Sequence, residues 1–338
     1  MQWTKLLCNY RELQLVGTLN GGQSFRWTYN KDTDEWIGVF SKTAWKLRQK
    51  DDYLEYQVLG SLLPEFSGNN TQIKNGNAKT CEESIFKSLL EKYFRLDVNL
   101  GSYYKEWSAK DELFKSACQQ FYGIRMLNQE PVENLFSFIC SQNNHISRIS
   151  SMVEKLCTHY GEEICHHEGI TYYAFPEVEK LSEAKVESQL RDLGFGYRAK
   201  FIQKSASQIL EAGGLQWFTA LKDMKYEEVK QELMKLHGIG PKVADCICLM
   251  SLNHLKALPV DTHVYQIAAQ NYLPHLRGKK NVTEKMYAEI GDHFRLLYGD
   301  LAGWAHTVLF CADLKKFQST DHKKEADEGV KAKKKRRQ

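Results

Sequence analysis

The stretch with the most chemistry in it is Leu236-His237-Gly238-Ile239-Gly240-Pro241-Lys242-Val243-Ala244-Asp245. Gly-x-Gly permits a tight turn whose backbone N–H groups face outward. Pro241 suits the first position of the helix that follows, and Val229 to Leu236 reads as a helix before it. The whole is helix, hairpin, helix, over about residues 229–252. Amides exposed at a helix N-terminus bind phosphate without needing positive side chains. Lys242 falls in the first turn of the second helix, where the helix dipole opposes a cation. The same field, with desolvation, lowers a lysine pKa and favours the neutral, nucleophilic amine. The other reading is an exposed lysine that reaches a DNA phosphate.

Asp261 separates the two. A helix from Pro241 to about Ser251 is roughly 16 Å long at ~1.5 Å per residue. After a turn near Leu252 to Leu255, an extended Lys256–Val260 covers a similar distance back at ~3.3 Å per residue. Asp261 therefore returns to the level of Lys242, and it can also cap a helix beginning at Thr262. A carboxylate there can steer the amine and stabilise a positively charged sugar.

These residues must be held by something, and the chain supplies two kinds of element. Phe25–Tyr29, Trp36–Phe40, Ala44–Gln49 and Tyr53–Val58 are short, aromatic or β-branched, and separated by polar turns. They predict an antiparallel meander with one buried face. The polar segment Ser67–Thr80 predicts a loop. From about Glu82 the apolar residues recur at helical spacing (Ile85, Leu89, Tyr93; Ile149, Met152, Val153, Leu156; Val243 to Leu252). The fold class is α+β: a sheet domain with flanking helices over 1–120, a helical body over 121–317, and a tail over 318–338.

Of the 338 residues, 42% are hydrophobic and 26% charged. No apolar run reaches the ~18 residues a membrane helix needs, and no signal-peptide pattern opens the chain. Nine scattered cysteines suit reduced, buried thiols. The net charge is +4, but residues 315–338 hold ten Lys/Arg against four Asp/Glu, so the rest of the chain carries −2. DNA contact there must rest on a local patch. Lys333-Lys334-Lys335-Arg336-Arg337 reads as a nuclear import signal, with a mitochondrial pool also compatible.

The Gly-rich hairpin with a downstream Val260-Asp261 resembles the helix-hairpin-helix DNA glycosylases. The likeness goes further. Gly22-Gln23-Ser24-Phe25-Arg26-Trp27, Phe136 to Ser141, Asn143-Asn144, Gly196-Tyr197-Arg198-Ala199 and Lys242 to Met250 are similar to the eukaryotic 8-oxoguanine DNA glycosylases, from about Leu13 to Leu314. The resemblance implies a twisted sheet domain beside two helical subdomains. It also implies excision of 8-oxoguanine, and of formamidopyrimidine guanine, opposite cytosine in duplex DNA. Lys242 would form the Schiff base, Asp261 would assist, and β-elimination would nick the strand. No cofactor or membrane is implied, a monomer suits the family, and the hairpin carbonyls offer a place for a structural cation.

By the same resemblance, the Gly22 carbonyl accepts from N7–H, a hydrogen that guanine lacks. Cys246 and Phe310 sandwich the base, and Met250 lines the pocket. Asn143, Arg148 and Arg198 hold the orphaned cytosine, with Tyr197 wedged into the stack. Gly238, Gly240 and Val243 offer amides to the strand, and His263 lies near a phosphate. One departure stands out in Gly303 to Phe310: His306 occupies the position where the family usually has a glutamine that reads the base edge. Either recognition is relaxed or His306 reads that edge differently. A non-catalytic hairpin module and a glycosylase for other bases are the competing classes. Lys242 with Asp261 argues against the first, and Gly22 with the Cys246/Phe310 pair against the second.

Overall fold

The computed structural model describes residues 3–64, 78–279 and 281–313. Most of Ser67–Thr80 and the whole basic run 333–337 lie outside them.

The N-terminal part is β1 (Thr4–Leu7), α1 (Leu15–Leu19), β2 (Trp27–Asn30), β3 (Glu35–Phe40), β4 (Thr43–Gln49) and β5 (Tyr53–Ser61). The five strands form one antiparallel sheet in the order β1-β5-β4-β3-β2. The meander is as expected. β1 was not foreseen, because four residues give too short an alternation to read. Trp36, Trp45, Leu47, Leu54 and Tyr56 bury one face with Phe86, Leu90 and Phe94.

The expectation of a single buried face needs correction. Val39, Ala44 and Leu59 pack under Ile164, Cys165 and Tyr172 on the opposite side. Those three belong to a hairpin, β6 (Glu163–His167) and β7 (Ile170–Tyr173), inserted in the helical body. Its turn residues Glu168 and Gly169 both have positive φ, 50° and 80°, the backbone that suits a two-residue hairpin turn. The polar run Glu162-Glu163 and the paired histidines hid these strands from a hydrophobicity reading.

The helices flanking the sheet are α2 (Ala78–Tyr93), α3 (Leu100–Lys110) and α4 (Glu112–Cys118), and α5 (Pro131–Ser141) and α6 (Ile146–Tyr160) follow in the body. After the β6–β7 hairpin come α7 (Val178–Ser182), α8 (Val186–Asp192), α9 (Arg198–Glu211), α10 (Leu215–Lys222) and α11 (Tyr226–Met234). Then follow α12 (Pro241–Met250), α13 (Thr262–Asn271), α14 (Glu284–Tyr298) and a last helix, α15, over 302–313. One large apolar cluster runs from Leu100 and Trp107 through Phe136 and Ile247 to Trp304.

Hydrogen bonds across sequence-distant segments fix the sheet domain against this body. The Gln23 side chain donates to the Arg125 carbonyl (2.9 Å) and accepts from Leu127 N–H (2.9 Å). Gln129 donates through its side chain to the Gln23 carbonyl (2.8 Å) and through its backbone to the Met250 carbonyl (2.7 Å). Gly22, next to Gln23, is thereby registered on the end of α12. Arg125, 1% exposed, spends its guanidinium on the carbonyls of Glu12, Arg95 and Val98 and on the Glu12 carboxylate, so its buried charge is fully hydrogen-bonded. The eight cysteines among the described side chains are unpaired, and six of them are buried.

Candidate active site

Lys242 and Asp261 line one cavity, with Gly22, Cys246, Met250, His306 and Phe310 around them. Seven residues from four separate stretches of the sequence are therefore brought together around one cavity. Each is held by ordinary local structure. Pro241 is the first residue of α12, and Gly240 before it has no side chain with which to cap that helix. The first-turn amides of Lys242 and Val243 consequently carry no side-chain cap and point where an anion would be favoured. Lys242 Nζ lies 5.0 Å from the Phe138 ring centroid. Asp261 is the N-cap of α13, its carboxylate accepting from Val264 N–H at 3.0 Å. Capping satisfies one carboxylate oxygen and leaves the other available to the cavity.

The walls are apolar or neutral. Cys246 is 2% exposed, and burial pushes its thiol up to about 11 although Lys242 pulls the other way. It is a thiol at neutral pH, a soft surface for a π-face. Met250 and the side chain of Phe138, from α5, continue that wall. Gly22 has φ 74°, a conformation that favours glycine, and a Cβ there would stand 3.8 Å from Phe310. His306 is buried between Phe294 and Phe310, at centroid distances of 6.0 and 6.3 Å. Neither of its ring nitrogens has a hydrogen-bond partner among the described residues. Burial lowers its pKa to about 4, against the pull of the Asp261 charge, so the imidazole is neutral at pH 7. The cavity measures about 50 Å³, room for a few waters rather than a bicyclic base.

A second group assembles at the loop between α5 and α6. Asn143 has φ 45° and stands in that loop, while Arg148 lies in the first turn of α6. The five-residue spacing thus spans a loop and a helix rather than one helix face. Tyr197 is 46% exposed and donates to the Gln142 carbonyl at 3.2 Å. Arg198 Nη2 donates to the carbonyls of Gln142 and Asn143, and the guanidinium lies 4.6 Å from the Tyr197 ring. Arg198, which the resemblance assigns to the orphaned cytosine, is only 4% exposed. Arg148 is exposed and reaches the Gly194 carbonyl at 3.4 Å.

Along the hairpin, Gly238 has φ 84° and its carbonyl accepts from Gln142 at 2.7 Å, which ties the hairpin to the α5–α6 loop. The His237 carbonyl is taken by Ser205 and that of Lys235 by Gln208. His263, in the first turn of α13, packs edge-on to Phe310 at 5.9 Å. Sequence reasoning missed Phe138, Pro259 and Val264 as cavity walls. Phe138 was visible in the Phe136-Ser137-Phe138 motif, but nothing in its spacing pointed at Lys242.

A lysine at the head of the second helix of a helix-hairpin-helix, beside a capping aspartate and a small apolar slot, defines the class of helix-hairpin-helix base-excision repair proteins. Residues 5–135 match the model of the 8-oxoguanine DNA glycosylase N-terminal domain, and residues 136–290 that of the HhH-GPD superfamily base excision DNA repair proteins. The N-glycosylase/DNA lyase of Saccharomyces cerevisiae is 38% identical over 92% of this chain and 86% of its own length. The N-glycosylase/DNA lyase OGG1 of Arabidopsis thaliana is 35% identical over 93% and 80%. The 8-oxoguanine glycosylase/lyase of Clostridium acetobutylicum, solved with double-stranded DNA containing cytosine opposite 8-oxoguanine, superposes with TM-score 0.74 at 29% identity, covering 90% of this chain and 93% of that one. This chain belongs to the 8-oxoguanine DNA glycosylase family.

Proposed function

We propose that this protein excises 8-oxoguanine, and formamidopyrimidine guanine, opposite cytosine from duplex DNA, and then nicks the abasic strand. The observation that carries the reading is the convergence of Lys242, Asp261, Cys246, Phe310 and the Gly22 backbone on one cavity. The lesion leaves the stack and enters that cavity. Phe310, which is only partly buried, swings aside to make room between itself and Cys246. The Gly22 carbonyl accepts from N7–H. Guanine presents an acceptor there instead, a mismatch costing roughly 1–3 kcal/mol.

The unprotonated Lys242 amine attacks C1′. The N–C1′ bond forms as the glycosidic bond breaks, and the bonding pair leaves with the base, which takes up a proton. Asp261 stabilises the positive sugar and accepts a proton from the amine. Ring opening gives the Schiff base. Loss of a C2′ proton then expels the 3′ phosphate. His306 reads the base edge with one ring nitrogen as acceptor and the other as donor. Arg198, Arg148 and Asn143 receive the orphaned cytosine, and Tyr197 fills the gap beside it. Amides of Gly238, Gly240 and Val243, with His263, hold phosphates of the lesion strand, and the hairpin carbonyls not already taken by Gln142, Ser205 and Gln208 would be the place for a structural cation. The basic run 333–337 supports nuclear import.

Borohydride trapping on an 8-oxoguanine:cytosine duplex tests this. The intact chain is expected to form a covalent adduct and Lys242→Gln to form none while still binding lesion DNA. Continued trapping by Lys242→Gln would assign the nucleophile elsewhere.

A further inference from the structure

Asp261 sits at the end of Lys256–Val260, a connection that has no sheet partner to fix it. Apart from the Ala257 N–H bond to the His254 carbonyl and the burial of Ala257, Leu258 and Val260, its position relative to Lys242 is left to side-chain hydrogen bonds. Val260, the residue before Asp261, donates its N–H to the Tyr287 hydroxyl at 3.1 Å. The same hydroxyl donates to Asp245 Oδ2 at 2.6 Å. Leu258 offers a carbonyl at 3.2 Å, but one hydroxyl proton serves one strong acceptor, and the short contact to the carboxylate takes it. Asp245 lies on α12, one helical turn beyond Lys242. It has 0% exposure, and Tyr226 (2.6 Å) and Lys230 (2.8 Å) hold it from α11.

We propose that Tyr287 is a positioning residue for the catalytic pair: its hydroxyl clamps the backbone that bears Asp261 to the carboxylate of Asp245 on the helix that bears Lys242. Two segments that meet at the cavity are thus joined from behind by α14. The clamp is anchored, because Asp245 is itself tied to α11, the first helix of the hairpin unit. Lys230 Nζ over the Tyr287 ring, 4.6 Å from its centroid, holds the phenol from the side. Without the hydroxyl, Val260 N–H loses its partner and Asp261 is free to shift while every residue lining the cavity stays the same.

The inference rests on the assignment of Lys242 and Asp261 above, and its test separates the two. Tyr287→Phe keeps the ring, and the residue is partly exposed, so the fold is retained. Tyr226→Phe removes another hydroxyl from the same carboxylate, at the same 2.6 Å, without touching the Val260 connection. Single-turnover excision and lesion-DNA affinity are measured on the full chain for both. Because a misplacement of order 1 Å costs up to ~100-fold in rate, Tyr287→Phe is expected to slow excision about tenfold with affinity within about twofold, and Tyr226→Phe to slow it by less than about twofold. On an Asp261→Asn background the Tyr287→Phe effect should vanish, since no carboxylate remains to be placed. Equal slowing by both phenylalanine variants, unchanged excision in Tyr287→Phe, a parallel loss of affinity, or an undiminished effect on the Asp261→Asn background would each overturn it. Failure of the underlying assignment shows separately, as trapping that survives Lys242→Gln.

Discussion

His306 provides a quantitative test that needs no DNA. Its imidazole has an unfolded pKa of 6.5, lowered in the fold to about 4 by burial. Between those values the unfolded chain binds a proton that the native chain does not. Stability then rises with pH across that window. The neutral-histidine contribution is complete above pH 6.5 and is lost as the pH falls towards 4. At pH 5 the linkage amounts to about 2 kcal/mol relative to pH 8, and it approaches about 3 kcal/mol below pH 4. His306→Gln removes the titration and keeps a polar side chain of similar reach. Urea melts of both proteins at pH 8 and pH 5 give the difference directly, since the other titrating groups are common to both. The wild type should lose about 2 kcal/mol more than the variant between the two pH values. Parallel losses, within about 0.5 kcal/mol, would show that the imidazole is solvated or charged in the fold and would refute the neutral-reader assignment. The same pair compared on 8-oxoguanine:cytosine duplexes reports on recognition. If His306 contacts the base edge, the substitution changes the excision rate; identical kinetics would remove it from the reading surface.

Asp261→Asn should cut the excision rate by about 100-fold or more and change lesion-DNA affinity little. Asparagine can still cap α13, so the melting free energy should shift by less than ~1 kcal/mol. An equal loss of rate and affinity would count against a carboxylate that acts on the developing sugar charge. Arg198→Met takes the guanidinium donor from the Asn143 carbonyl and leaves the Gln142 carbonyl only the Tyr197 hydroxyl, at a cost of roughly 1–3 kcal/mol in stability. It should also narrow the preference for cytosine over adenine opposite the lesion. A preference ratio equal to the wild type's, measured in single-turnover excision, would remove Arg198 from cytosine recognition.

The sequence by itself determined the parts that depend on local rules. Gly-x-Gly-Pro before Lys242 specifies a turn and a helix start, and Asp261 before Thr262 specifies a cap; both stand as read, because caps and turns are set by a few adjacent residues. The meander was legible for the same reason, through alternation and polar turns. The tertiary structure alone decided what depends on segments distant in the chain. The β6–β7 hairpin covers the sheet's second face, yet its strands look polar in isolation. Arg198 is withdrawn from solvent by the carbonyls of a loop 55 residues earlier. Phe138 became a wall of the Lys242 cavity, and the Tyr287 hydroxyl joined Val260 to Asp245, because α5 and α14 are brought to α12 by hydrophobic packing that fixes a position without announcing a role. Sequence spacing encodes which face a residue shares within one element. Which elements face each other follows from the packing of the whole core.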